Sequence, residues 1–171
     1  MSNGKSLSEG KYGKYIVTEF YDKFELPPER AWEKAIMGRG LLNGKRRQME
    51  HMVWLDSNVI PGAFYAEAVW FWPALTQKPQ VIHPEQMKDS PGIPPHVHPF
   101  PEFLSYYGTD IEHPDELYAD VEFWMEDEKY VFNKSFIVYI PADVKHCPIR
   151  MHNMTKPIFH FTMGTGRDYI T

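Results

Sequence analysis

The stretch Pro95-His96-Val97-His98-Pro99-Phe100-Pro101-Glu102 decides the fold and the site of this chain. Histidines two positions apart project from the same face of an extended strand, so the imidazoles of His96 and His98 can meet at one point. Glu102 follows four positions later and reaches the same point if the chain bends, and the two intervening prolines supply a bend. The stretch therefore predicts two imidazoles and a carboxylate directed toward one metal ion.

A third histidine, His146, ends the turn Pro141-Ala142-Asp143-Val144-Lys145-His146, which begins about forty residues after Glu102. Three neutral imidazole nitrogens and one carboxylate, with no thiolate, suit Fe(II), Mn(II), Ni(II), Cu(II), Co(II) or Zn(II). We predict a site for one divalent transition metal with His96, His98, Glu102 and His146 as ligands. The sequence leaves the identity of the metal open.

Short apolar and aromatic runs alternate with turn residues from Gln48 onward. Aromatic residues make up 15% of the chain and there are 15 prolines, a composition that favours strands and turns over long helices. Short strands at regular spacing predict an all-β antiparallel sandwich or barrel. The predicted strands cover residues 51–55, 64–72, 103–107, 119–125, 130–133, 137–140, 148–152 and 158–163, with Glu126-Asp127-Glu128 as a hairpin turn.

The first 47 residues differ from the rest, and we predict them to be an extension of a single barrel domain at 48–171. Residues 15–20 are predicted as a short strand, and Pro27 and Pro28 precede a predicted helix at 29–37. The cluster Lys45-Arg46-Arg47 is basic, but the whole chain carries a net charge of −5, which opposes binding to a polyanion. We therefore expect no nucleic-acid partner.

Several other classes of protein are excluded by simple features. The single cysteine, Cys147, cannot form an internal disulfide, so a disulfide scaffold is excluded. No apolar run is long enough for a membrane span, and the first residues lack the apolar core of a signal peptide. We expect a cytoplasmic protein without a membrane partner.

The ligand residues resemble the two motifs of the cupin superfamily, G(X)5HXH(X)3-4E(X)6G and G(X)5PXG(X)2H(X)3N. His96, His98 and Glu102 match the ligands of the first motif, and Pro141 and His146 match the second. Ser135, Asp143 and Arg150 stand where the second motif has glycine, glycine and asparagine, which changes loop residues and no ligand. The resemblance covers about residues 48–164. It implies a small jelly-roll β-barrel with the metal inside and, through the N-terminal extension, a homodimer.

Four further residues are candidates for contact with a substrate. If its strand runs straight, Arg150 projects from the same face as His146, because the two residues are an even number of positions apart. Arg150 then binds a substrate carboxylate; the alternative is a surface arginine. Tyr106 shares the parity of Glu102, and Trp70 lies on a predicted strand of the barrel; each either lines an apolar pocket or packs in the core. His160 lies on a strand whose inward face the sequence does not identify.

Glu67 is a candidate general base if it points inward, since it lies on the opposite face from Trp70. The favoured function is that of a metal-dependent enzyme acting on a small, oxygen-chelating, apolar or aromatic substrate, with an oxygenase reaction ranked first. Isomerase, decarboxylase and lyase reactions are alternatives, because cupins that look like this carry out all of them and fold does not choose among them. A non-catalytic binding protein is a further alternative, and a barrel with a vestigial site is disfavoured by the intact ligand set.

Overall fold

A computed structural model describes residues 6–23, 37–42, 45–46, 49–73 and 95–168. Strands are the main regular structure of the described part of the chain, which also has one turn of 3-10 helix at Gly13–Tyr15. The strands are β1 (Leu41–Leu42), β2 (Lys45–Arg46), β3 (Met49–Leu55), β4 (Ala66–Phe71), β5 (Glu102–Gly108), β6 (Glu116–Met125), β7 (Glu128–Lys134), β8 (Phe136–Ile140), β9 (His146–His152) and β10 (Ile158–Gly164).

The long strands form two antiparallel sheets. One has five strands in the order β3-β4-β10-β5-β8, and the other has three in the order β7-β6-β9. The short strands β1 and β2 pair with each other. The predicted hairpin turn at 126–128 connects β6 and β7, which run side by side with Met125 opposite Glu128.

The core lies between the two sheets. Strand β4 contributes Val69 and β5 contributes Tyr106, while the facing strand β6 contributes Leu117, Val121 and Phe123. Alternate residues of β6 are buried, as a sheet with one covered face requires. Each fully buried side chain of this size contributes about 1.5–3 kcal/mol through removal of apolar area from water. Two facing antiparallel sheets enclose one core, and the predicted all-β antiparallel fold is confirmed.

The N-terminal segment departs from the prediction. The structure has a 3-10 turn at Gly13–Tyr15 and irregular chain over 16–20, so the strand predicted at 15–20 is wrong. The ring of Phe20 instead packs at 5.4 Å from the ring of His51 and edge-on to Trp54 at 6.2 Å. The packing of the Phe20 ring, and not a hydrogen-bonded ladder, anchors this segment.

The helix predicted at 29–37 falls outside the described residues except for residue 37. No helix within the described ranges has the length and apolarity needed to cross a bilayer. The predicted homodimer and the cytoplasmic location stay predictions.

Candidate metal centre

The four predicted ligands come from two chain segments that are tied together by their backbones. His96 and His98 lie in the extended segment before β5, Glu102 begins β5, and His146 begins β9. The amides of His96 and His146 donate to each other's carbonyl oxygens at 3.0 and 3.1 Å. The amide of Asp143 also donates to the carbonyl of His98 at 3.0 Å. This isolated bridge brings the first motif beside the second.

The side chains of these residues converge. One ligand atom from each of His96, His98, Glu102 and His146 lies within 4.8 Å of the others. Oε2 of Glu102 is 3.1 Å from Nε2 of His98 and 3.3 Å from Nε2 of His146. Glu102 is 6% exposed and His146 is 1% exposed. Three buried residues and the half-buried His96 thus form a group that could hold a metal ion.

Local hydrogen bonds orient two of the imidazoles. Nδ1–H of His98 donates to the carbonyl of Phe100 at 2.6 Å, and Nδ1–H of His146 donates to the carbonyl of Val144 at 2.9 Å. A carbonyl can only accept, so in both rings the proton is on Nδ1 and Nε2 is left for the centre of the group. Nε2 of His146 is buried and has no hydrogen-bond partner in the described part of the chain. A buried polar atom of this kind is rare, and a metal ion would satisfy it.

The carboxylate of Glu102 is held in its ionised form. Burial alone would raise the pKa of Glu102, but the imidazoles of His146 and His98 beside Oε2 lower it well below its usual range. The other oxygen, Oε1, accepts a hydrogen bond from the hydroxyl of Thr162 at 2.9 Å. An ionised, oriented carboxylate beside imidazole nitrogens is a donor set that suits a divalent transition metal, so the residues present fit such an ion.

An aromatic ring supports His98 from the side. The ring of Phe100 stacks on the imidazole at a centroid distance of 4.2 Å and an interplanar angle of 8°. Phe100 lies against two glycines: a Cβ on Gly164 would come 2.6 Å from a ring carbon, and one on Gly166 would come closer still. Only the absence of a side chain at these positions lets the ring lie where it supports His98.

Tyr106 and His160 lie on the inner face of the five-stranded sheet, near each other. Their rings stack at 4.3 Å, and Nδ1–H of His160 donates to the carbonyl of Ser105 at 2.9 Å. Burial lowers the pKa of His160 to about 4, so its ring is neutral at neutral pH. Contact of either residue with a substrate stays a prediction.

Trp70 lies on the opposite face of β4 from this inner face. Its neighbours Val69 and Phe71 belong to the core between the sheets, whereas the indole of Trp70 stacks on Trp72 at 5.7 Å and packs against Phe159 at 5.2 Å. The structure therefore does not bring Trp70 to the four ligand residues.

Arg150 is also not brought to the ligand group, because β9 does not run straight. Met125 pairs with His146 and Phe123 pairs with Ile149, so β9 has one residue more than β6 between these two pairs. Residues of β9 after this extra residue project from the opposite face to the one that alternation from His146 predicts. Arg150 therefore lies opposite Glu122 on the outer side, and its Nη1 donates to Oε1 of Glu122 at 2.6 Å. Its position is that of an ion-paired residue with a 27% exposed side chain.

One buried polar pair, His51 and Glu67, lies outside both sequence motifs. Nδ1 of His51 lies 2.7 Å from Oε2 of Glu67, and both residues are buried. Glu67 points inward, as the general-base hypothesis requires, and its role stays a prediction. A sequence signal exists for Glu67, which is the only polar residue of β4, and a buried carboxylate requires a partner. The cross-strand register that joins Glu67 to His51 is not visible in the sequence.

Comparisons with known proteins give similarity to solved structures only. No protein-family model matches the chain, and no curated protein matches it. A structure of Fe(II) HppE is 12% identical with a TM-score of 0.43, covering 86% of this chain and 63% of that one. An oxalate oxidase in complex with glycolate is 13% identical with a TM-score of 0.40, covering 70% and 52%. An RmlC-like cupin from Shewanella frigidimarina is 12% identical with a TM-score of 0.38, covering 70% and 78%.

Proposed function

We propose that this chain is a metal-dependent enzyme of the cupin type that acts on a small, oxygen-chelating substrate, with an oxygenase reaction favoured. The observation that carries the proposal is the largely buried convergence of His96, His98, Glu102 and His146. Nε2 of His146 has no hydrogen-bond partner among the described residues, which supports a ligand role for this group over a purely structural one.

These four residues would hold one divalent transition metal. When bound, such an ion supplies a Lewis acid for a chelating substrate and, as Fe(II), redox chemistry with O₂. The sequence and the fold do not choose between these two kinds of chemistry.

The chain's own contribution is a preorganised and largely buried set of side chains. The carbonyls of Phe100 and Val144 fix the imidazoles of His98 and His146, and Thr162 fixes Glu102. Groups held in this way need little reorganisation when a substrate arrives, and burial strengthens their electrostatic effect. The site is therefore suited to hold a charged, chelating ligand away from bulk water.

The inner face of the barrel favours an apolar or aromatic substrate. Tyr106 and Phe136 stack at 5.1 Å, and Phe71 lies at 6.0 Å from Tyr106, so the wall next to the polar residues is aromatic. Arg150 is ion-paired on the outer side and lends no support to recognition of a substrate carboxylate from that position.

The test is reconstitution followed by a search for turnover. Elemental analysis of the protein as purified identifies the metal, and the metal-free protein is then loaded with Fe(II) under anaerobic conditions. We expect stoichiometric iron and O₂ uptake with catechol or 2,4-pentanedione as substrate. Glu102→Gln keeps the size of the side chain and removes the charge, so it should lose both iron and uptake. His113→Gln, at an exposed histidine, is the matched control and should keep both.

Each alternative predicts a different result. Stoichiometric iron without O₂ uptake across a panel of chelating substrates would exclude the oxygenase reaction. Conversion of such substrates without O₂ would then indicate isomerase, decarboxylase or lyase chemistry. A ligand retained unchanged from cell extract would indicate a binding protein. Retention of stoichiometric metal in His96→Ala would show that the site is not the one proposed.

A further inference from the structure

A second buried polar group lies on the inner face of the five-stranded sheet, outside the four ligand residues. His51 on β3 is fully buried and Glu67 on β4 is 4% exposed. Nδ1 of His51 lies 2.7 Å from Oε2 of Glu67, and the hydroxyl of Tyr65 donates to Oε1 of the same carboxylate at 2.8 Å. Two strands and the loop before β4 thus contribute one connected group.

Glu67 accepts hydrogen bonds on both oxygens, which requires the ionised carboxylate. Burial acts to raise the pKa of Glu67, but His51 and Tyr65 outweigh it and hold that pKa below its usual value. A carboxylate at this distance takes a proton-bearing nitrogen as its partner, so the proton of the imidazole is on Nδ1 of His51.

The other nitrogen of His51 has no partner. Nε2 is buried and makes no hydrogen bond in the part of the chain that the structure describes. In a doubly protonated ring this atom would be a charged N–H donor buried without an acceptor, which is costlier than an unused lone pair in the neutral ring. In the neutral ring with its proton on Nδ1, the lone pair of Nε2 is free to accept a proton.

The register of the sheet places Glu67 on the same inner face as Glu102, with one strand between them, and His51 on the strand beyond Glu67. Glu67 on β4 is directly opposite Thr162 on β10, and the hydroxyl of Thr162 donates to Glu102. Directly paired residues of neighbouring strands share a face, so Glu67 and Glu102 project from the same inner face with β10 between them. The preceding inward residue of β10, His160, lies opposite Val69 and is neutral at neutral pH because burial lowers its pKa to about 4.

We propose that His51 is the proton acceptor of the site and that Glu67 and Tyr65 are its positioning residues. The inference rests on the proposed function, since the proton comes from a substrate hydroxyl such as that of a catechol or of the enol of a β-dicarbonyl. The O–H bond breaks, its electron pair stays on the substrate oxygen, and the proton forms an N–H bond at Nε2 of His51. The carboxylate of Glu67 balances the positive charge that the imidazole gains.

The first test needs neither metal nor substrate. Long-range ¹⁵N–¹H spectra of the metal-free protein at neutral pH report which nitrogen of His51 carries the proton. We expect the neutral Nδ1–H form in the wild type. We also expect Glu67→Gln to lose the preference for it, because an amide can donate to the ring as well as accept. A resting imidazolium or an Nε2–H form in the wild type would overturn the assignment of Nε2 as acceptor.

The second test counts protons. Catechol is bound to the Zn(II)-loaded protein, in which the metal has no redox activity, and calorimetry in buffers of different ionisation enthalpy gives the number of protons released. We expect the wild type to release about one proton fewer than His51→Gln, because His51 keeps it. Glu67→Gln should fall between the two, and His113→Gln should behave as the wild type.

The outcomes separate the two proposals. Normal catechol binding with equal proton release in the wild type and in His51→Gln would overturn the role of His51 and leave the proposed function intact. Failure of the wild type to bind Zn(II) or catechol would overturn the proposed function and this role with it. If His51→Gln does not fold, Glu67→Gln in the same two experiments carries the comparison.

Discussion

The hydroxyl of Thr162 shares its proton between Oε1 of Glu102 at 2.9 Å and the carbonyl of Phe103 at 3.0 Å, while Oε2 of the same carboxylate faces the imidazoles of His98 and His146. One oxygen is thus fixed by the protein and the other is left for the ligand group. Hydrogen bonds of this kind from residues behind a ligand usually change metal affinity by 10–100-fold when they are lost.

Replacement of Thr162 by valine should therefore weaken metal binding. Valine keeps the shape of the side chain but leaves Oε1 of Glu102 buried without its donor. We expect the dissociation constant for Zn(II), measured by competition with a chelator, to rise by about 10–100-fold. Thr162→Ser keeps the hydroxyl and should stay within a few-fold of the wild type. Equal affinities for the valine and serine variants would contradict a role of this hydrogen bond.

Metal binding should stabilise the fold, because the ligands come from separate segments on β5, β9 and the chain before β5. At a free metal concentration of about 100 times the dissociation constant, binding adds about 2.7 kcal/mol to the free energy of unfolding. For a chain of this size we expect a rise in Tm of about 5–10 °C by calorimetry. His146→Ala should show no such rise, and His113→Gln should show all of it.

Gly164 should not tolerate a side chain. A Cβ at this position would come 2.6 Å from a ring carbon of Phe100, whose ring stacks on His98. Gly164→Ala should push the ring aside, lower the free energy of unfolding by about 1–3 kcal/mol in denaturant titrations, and weaken metal binding. Gly10→Ala is the control, since its Cβ would meet only ordinary contacts at 3.4 Å or more. Unchanged metal affinity in Gly164→Ala would show that the position of Phe100 does not control the orientation of His98.

Patterns within one strand predicted most of the fold and the ligand group, because alternation and motif spacing are local properties. The strand predicted at 119–125 is the clearest case: Val121 and Phe123 alternate with polar neighbours and are buried in β6. Features that depend on the register between two strands could not be predicted from the sequence. The additional residue in β9 that turns Arg150 outward, and the pairing of His51 with Glu67, are set by register between neighbours.

Arg150 should affect stability and leave the metal site unchanged. Its guanidinium pairs with Glu122 at 2.6 Å, and the ammonium of Lys129 lies further from the same carboxylate at 3.6 Å, so Arg150→Gln removes the nearer of two cationic partners. We expect a loss of about 1–2 kcal/mol in the free energy of unfolding and an unchanged dissociation constant for Zn(II). Arg150→Lys keeps the charge and should recover part of the loss. A variant with normal stability and weakened catechol binding would restore Arg150 as a substrate-binding residue.

His160 should make the fold sensitive to mild acid. Burial lowers the pKa of its ring to about 4, against an ordinary value of 6.5, so the unfolded chain takes up a proton at this residue before the folded chain does. The stability that it contributes is complete above about pH 6.5 and is lost as the pH falls toward 4, with about 2 kcal/mol lost between pH 6.5 and 4.5. Denaturant titrations of the metal-free protein across this range should show that loss in the wild type. In His160→Gln, which can still donate to the carbonyl of Ser105, the loss should be smaller by about that amount. Parallel pH profiles for the two proteins would show that His160 titrates alike in the folded and unfolded states.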